Sequence, residues 1–142
     1  MSDAIPFAWT DAWLLHAILL AAENGQARLD EVIAAADMIQ HAMLTFDEID
    51  GGIARLSRAG LISIGDKQFH LTATATEIQA RLIRLSVRKA DEACRTALGL
   101  APPEPPFRPT PADPAWTSHA FTIEEVRKAE KDYRRRVWGR ER

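Results

Sequence analysis

The amino-acid sequence predicts a mainly α domain carrying one small β-hairpin, extended by a helical C-terminal arm. Three observations predict it. Apolar residues recur at helical spacing over most of the first hundred positions. A tight Gly65-Asp66-Lys67 connection separates two short stretches with strand character. Seven prolines between positions 101 and 114 then cut that region from a last amphipathic stretch. The expected layout is a domain over 1–99 (three core helices, the hairpin, a long fourth helix), a Pro-rich linker over 100–119, and a basic amphipathic arm over 120–142.

The first helix is expected over 11–23. Thr10 serves as its N-cap and Asp11 sits in the first turn, where the helix dipole favours an anion. Trp13, Leu14, Ala17, Ile18, Leu20 and Ala21 give it a wide apolar face, and Asn24-Gly25 stops it. The second helix starts near Asp30, with Leu29, Val32, Ile33 and Ala36 at helical spacing, and frays over 40–44. The third has the sharpest boundaries. Thr45 and Glu48 form a capping box, Ile49, Ile53 and Leu56 line one face, and Gly60 ends it.

Residues 61–64 and 68–72 read as the two hairpin strands, Phe69 and Leu71 alternating with Gln68, His70 and Thr72. The fourth helix is expected without interruption over 74–98, its seam formed by Ile78, Leu82, Leu85, Ala90, Cys94 and Leu98. Such a helix is too long for a core this small, so part of its face meets something else. In the arm, Thr122 and Glu125 form a second capping box, and Ile123, Val126, Ala129, Tyr133 and Val137 share one side.

At 142 residues with 46% hydrophobic content, the chain can bury one core. Its net charge of −2 singles out neither nucleic acid nor membrane. The distribution is uneven: nine Asp/Glu against three Lys/Arg through position 60, but eight Lys/Arg against five Asp/Glu over 120–142. The single cysteine, Cys94, forms no intramolecular disulfide. The N-terminus has no positively charged start followed by an apolar run, and the most apolar stretch, 12–22, contains His16 and is too short to span a bilayer. A cytoplasmic protein without membrane contact is the expectation.

The segment Phe46-Asp-Glu-Ile-Asp-Gly-Gly-Ile-Ala-Arg-Leu-Ser-Arg-Ala-Gly-Leu-Ile-Ser-Ile, followed by Phe69-His-Leu-Thr72, resembles the third helix and wing of winged helix-turn-helix regulators of the MarR and PadR type. The resemblance covers roughly 11–95. It implies a three-helix core with a wing, a third helix that enters the DNA major groove, and a wing tip that touches phosphates or the minor groove.

Mapped onto this chain, the exposed third-helix positions are Asp47, Glu48, Asp50, Gly51, Ala54, Arg55 and Arg58. Three carboxylates at the end that would approach a duplex face its phosphate charge, and the wing offers only Lys67, offset by Asp66. Asp47 and Glu48 are accounted for by capping and the helix dipole; Asp50 is not. Gly51-Gly52 inside a helix costs on the order of 1 kcal/mol per glycine, which points to close approach of another backbone or to a weak turn. The DNA-contact candidates are Arg55, Arg58 and Lys67, joined by Arg134 and Arg135 of the arm. The arm's cations, interleaved with Tyr133 and Trp138, fit a phosphate grip, a solvated face, or packing on the acidic domain of the same chain or a dimer mate. The dimer and packing candidates are Ile78, Leu82, Leu85, Cys94, Tyr133 and Trp138.

Nothing in the sequence assembles a catalytic centre. The four histidines (His16, His41, His70 and His119) fall on separate elements. Asp37 and His41 stand i, i+4, a spacing that fits a hydrogen-bonded pair or two metal ligands, but no third ligand is evident. Cys94, on the apolar seam, reads as packing rather than nucleophile, and Gly51-Gly52 is no phosphate loop. Neither metal nor cofactor is expected, no ligand pocket between the first and fourth helices is specified, and the chain is not expected to be an enzyme. Two functions remain: a homodimeric transcriptional regulator using the third helix and wing on DNA, or a winged-helix module that has lost DNA binding and turns its acidic third helix to a protein partner.

Overall fold

The computed structural model describes residues 4–100, 113 and 115–138, the last without its side chain. The prolines from 102 to 111, Pro114, the Trp138 side chain and the cations Arg140 and Arg142 lie outside the described residues. Among the described residues the chain is mainly helical with a small antiparallel sheet. The order is α1 (Trp9–Ala21), β1 (Gln26–Arg28), α2 (Leu29–Gln40), α3 (Phe46–Arg58), β2 (Ile62–Gly65), β3 (Gln68–Leu71), α4 (Ala73–Leu82), α5 (Val87–Ala97) and α6 (Ile123–Trp138).

Helix α1 is the axis of the domain. Residues 10–19 are all buried, because α2, α3, α4 and α5 pack around it. A helix apolar nearly all round needs such enclosure. It begins two residues earlier than the sequence suggests. Ala8 takes the N-cap position, and Asp11 Oδ2 reaches back to accept from the Ala8 N–H at 2.8 Å. Thr10 is therefore inside the helix, and its buried hydroxyl has no hydrogen-bond partner among the described residues; nor has His16 Nδ1, which lies 3.7 Å from Asp91 Oδ1. Likewise Arg28, not Asp30, precedes α2, its N–H donating to Glu31 Oε1 at 2.8 Å.

Helix α3 follows its sequence signals. Glu48 N–H donates to Thr45 Oγ1 at 3.2 Å, and Thr45 N–H to Glu48 Oε1 at 2.8 Å. Ile49, Ile53 and Leu56 point into the core. Gly60, at φ +76°, makes the turn into the sheet, a conformation that costs glycine little. The hairpin turns on Asp66 and Lys67, both at positive φ (51° and 58°), which matches the twist of the flanking strands.

Among the described residues the sheet has three strands, not two. β1 pairs antiparallel with β3, giving the order β1-β3-β2. Three residues are too few to show alternation, so only the tertiary pairing makes β1 a strand. Phe69, on the central strand, faces the core and is fully buried.

The long fourth helix is also corrected. It is two helices, separated by residues 83–86, with Ser86 Oγ accepting from Lys89 N–H at 3.3 Å as the N-cap of α5. The elbow lets both pieces lie against α1, so Leu82, Ala90, Cys94 and Leu98 are buried within the chain. Helix α6 lies on α2, burying Val126, Ala129 and Tyr133 but leaving Ile123 and Val137 exposed.

Candidate functional site

The face formed by α3 and the hairpin is where the sequence places DNA contacts, and the chain's own C-terminal segment covers much of it. The cover begins at Asp50. Its Oδ1 accepts from Ser118 Oγ at 2.7 Å, His119 N–H at 2.9 Å and Ser118 N–H at 3.2 Å. That convergence of donors explains a carboxylate that capping left unexplained, and it fixes residues 118–119 on α3. Buried carboxylates need such partners.

Arg55 is not a surface cation. Its side chain is 0% exposed and grips Asp11 with both ends of the guanidinium, Nε to Oδ2 at 2.6 Å and Nη2 to Oδ1 at 2.9 Å. Nη1 donates to the Asp113 carbonyl at 3.4 Å. The helical period turns position 55 inward, one turn after the glycine pair, toward α1. The expectation that Arg55 reads DNA is thereby corrected: it is the counter-ion of a buried carboxylate. The glycine pair is explained by the same contact. A Cβ on Gly52 would lie 2.6 Å from Leu14 Cδ2, and one on Gly51 3.2 Å from the Trp116 carbonyl oxygen. Close approach within the chain, rather than a weak turn, accounts for both.

Lys67, at the hairpin tip, is exposed but engaged. Its Nζ donates to the Ala120 carbonyl at 2.9 Å and to Glu125 Oε1 at 3.1 Å, and sits 5.6 Å from the centroid of the Phe121 ring. Phe121 in turn packs on Phe69, ring centroids 5.6 Å apart. Glu125 belongs to the capping box of α6, accepting from Thr122 N–H at 2.8 Å. That backbone bond first, and Lys67 second, hold its carboxyl below the usual range.

The arm is also tied to α2. Tyr133 Oη donates to Asp37 Oδ2 at 2.6 Å, and Arg136 pairs with Asp30 at 3.3 Å. The hydrogen bond to the carboxylate, then burial, raises the Tyr133 hydroxyl above its ordinary range. Asp37 thus partners the arm rather than His41, which adopts the left-handed conformation at the end of α2. Among the described residues no group of three or more His, Cys, Asp or Glu is arranged to hold a metal.

The other sequence candidates divide cleanly. Arg58, Arg134 and Arg135 are exposed, and none has an ion pair among the described residues. Leu82, Cys94 and Tyr133 are buried within the chain, so they are core rather than open dimer surface; Ile78 is half-buried and Leu85 is exposed. Burial first, with Asp91 adding to it, pushes the Cys94 thiol up to about 12, which removes it as a nucleophile near neutral pH. Sequence reasoning missed Asp11 as the partner of Arg55, and Ser118 altogether. The unexplained Asp50 and the glycine pair were the available signals that something packs there.

No protein-family model, curated protein or solved structure matches this chain. No helix among the described residues is long and apolar enough to cross a membrane.

Proposed function

We propose that this chain is a winged-helix module that works through protein contacts rather than by reading DNA. The observation that carries this reading is the occupancy of the α3 and hairpin face. Of its three expected cations, Arg55 is buried against Asp11 and Lys67 is held by the arm. Asp50, on the same helix, fastens the segment that covers it. What supports the winged-helix part is the succession of α2, capped α3 and hairpin, with β1 completing the sheet beside β3. A face lined by carboxylates and closed by the same chain suits neither phosphate neutralisation nor groove entry.

A second reading, a DNA-binding regulator gated by its arm, draws on one observation: Arg58, Arg134 and Arg135 remain exposed. The two separate in one experiment. The full chain and its Asp50→Ala variant are titrated against random duplex DNA at low and at moderate salt. An interaction module leaves both without saturable binding. Salt-sensitive binding by the full chain overturns the proposal, since phosphate contacts release counter-ions and weaken steeply with salt. Binding gained only by Asp50→Ala supports the gated regulator instead.

A further inference from the structure

The bend between α4 and α5 leaves a groove open against α1, with a volume of about 440 Å³. Its rim is apolar: Leu20 is 49% exposed, Ile83 83%, Leu85 39% and Val87 52%. Single exposed apolar residues need no explanation, but four around one concavity do. The same elbow is basic. Residues 81–89 contain Arg81, Arg84, Arg88 and Lys89 and no carboxylate, with Glu77, Asp91 and Glu92 flanking them. All four cations are exposed, and none forms an ion pair among the described residues. The nearby Asp91 is already taken by Arg95, at 2.5 Å.

The hollow itself is lined by apolar side chains with His16, Thr76 and Gln79 among them, and the exposed cations stand beside its rim along the chain, Arg84 between Ile83 and Leu85 and Arg88 next to Val87. An occupant must fill a concavity with apolar groups and present negative charge beside them. We infer that the α4–α5 elbow is the docking groove for an acidic amphipathic segment of a partner protein, with Leu or Ile side chains entering between Leu20, Ile83 and Val87 and carboxylates meeting Arg84 and Arg88. Lodging an amphipathic segment in an apolar groove is a general mode of peptide recognition. Charge argues against a second copy, and shape and polarity against two anionic alternatives. A second copy placed on this groove by two-fold symmetry would bring two sets of four cations together. An anionic bilayer would engage the protruding Ile83 and the cations but leave the floor of the groove without a specific partner, which the vesicle measurement below distinguishes. A nucleic acid would leave the apolar rim without a partner, because such interfaces are polar and strongly charged.

This inference rests on the reading of the chain as an interaction module and names the partner of a face that the DNA titration does not address. The full chain is panned against a random peptide library, and the selected peptides are titrated by fluorescence anisotropy. The expected result is enrichment of sequences that combine Leu or Ile with Glu or Asp. Their affinity falls at least tenfold in Arg84→Glu/Arg88→Glu and about fivefold in Ile83→Ser, while the folded-state circular dichroism is unchanged. The inference is overturned if no peptide is selected, if the selected peptides are not acidic, or if both variants bind them as the parent does. It is also overturned if Ile83→Ser converts a dimer to a monomer, or if phosphatidylserine vesicles or duplex DNA bind this elbow in place of peptide. Absence of DNA binding together with failed peptide selection would leave the module reading standing and this groove assignment refuted.

Discussion

The face of α3 and the hairpin and the elbow between α4 and α5 make an instructive pair. Both carry cations, and both were expected to contact another molecule. At the first, two of the three cations are spent inside the chain, Arg55 on Asp11 and Lys67 on the arm, and only Arg58 stays exposed. At the second, four cations and four apolar side chains stand open to solvent. The difference teaches that a cation's place in a motif does not decide its availability. What decides it is whether the chain supplies a carboxylate or carbonyl within reach. Arg55 meets Asp11 across forty-four residues, while Arg84 has no hydrogen bond or ion pair among the described residues.

The sharpest way to break this comparison is at the buried pair. Asp11→Ala leaves the Arg55 guanidinium buried and uncompensated, and should cost about 3–5 kcal/mol in urea unfolding. Replacing both residues by apolar ones of similar volume should recover much of that loss, because the desolvation of both ions disappears with them. A loss under about 1 kcal/mol for Asp11→Ala would mean that Arg55 reaches water and that the closed face is open after all.

A smaller effect is expected at the clamp. Asp50→Ala removes the shared acceptor of Ser118 and His119 and should cost about 1.5–3 kcal/mol, the range for hydrogen bonds to a charged group. Amide exchange at His119 should accelerate while exchange within α1 keeps the order set by global stability. Unchanged protection at His119 would show that Phe121 and Lys67 hold the segment without Asp50.

The smallest effect should be found at the elbow. Arg84→Glu/Arg88→Glu should leave stability within about 0.5 kcal/mol, as substitutions at exposed, unpartnered positions do. A loss of more than about 1 kcal/mol would show that these side chains are engaged in the free protein, and would remove the contrast between the two faces.

Much of the fold was legible because its signals are local. The capping boxes at Thr45 and Thr122 join residues three apart, and the hairpin turn is set by two consecutive residues. The errors fall where local signals are silent or ambiguous. Neither proline nor glycine interrupts residues 82–87, so the apolar seam reads as continuous, and Ser86 alone marks the break as a cap. β1 is three residues long and exists through its pairing with β3. Thr10 is a plausible cap by residue type, but Asp11 reaches the Ala8 amide and starts the helix earlier.

The candidate site was less legible than the fold. Arg58 was named as an exposed third-helix position through the winged-helix resemblance, and Arg134 and Arg135 as cations of the arm; all three are exposed. Arg55 was placed beside them, although the same helix turns it inward.

The sequence by itself determined the capped third helix, the hairpin and the amphipathic arm, because caps, turn residues and hydrophobic period act over a few residues. Only the tertiary structure decided which charges are spent and which are free. An ion pair such as Asp11 with Arg55, or a clamp such as Asp50 on Ser118, depends on where distant segments are brought together, and no spacing rule records that distance.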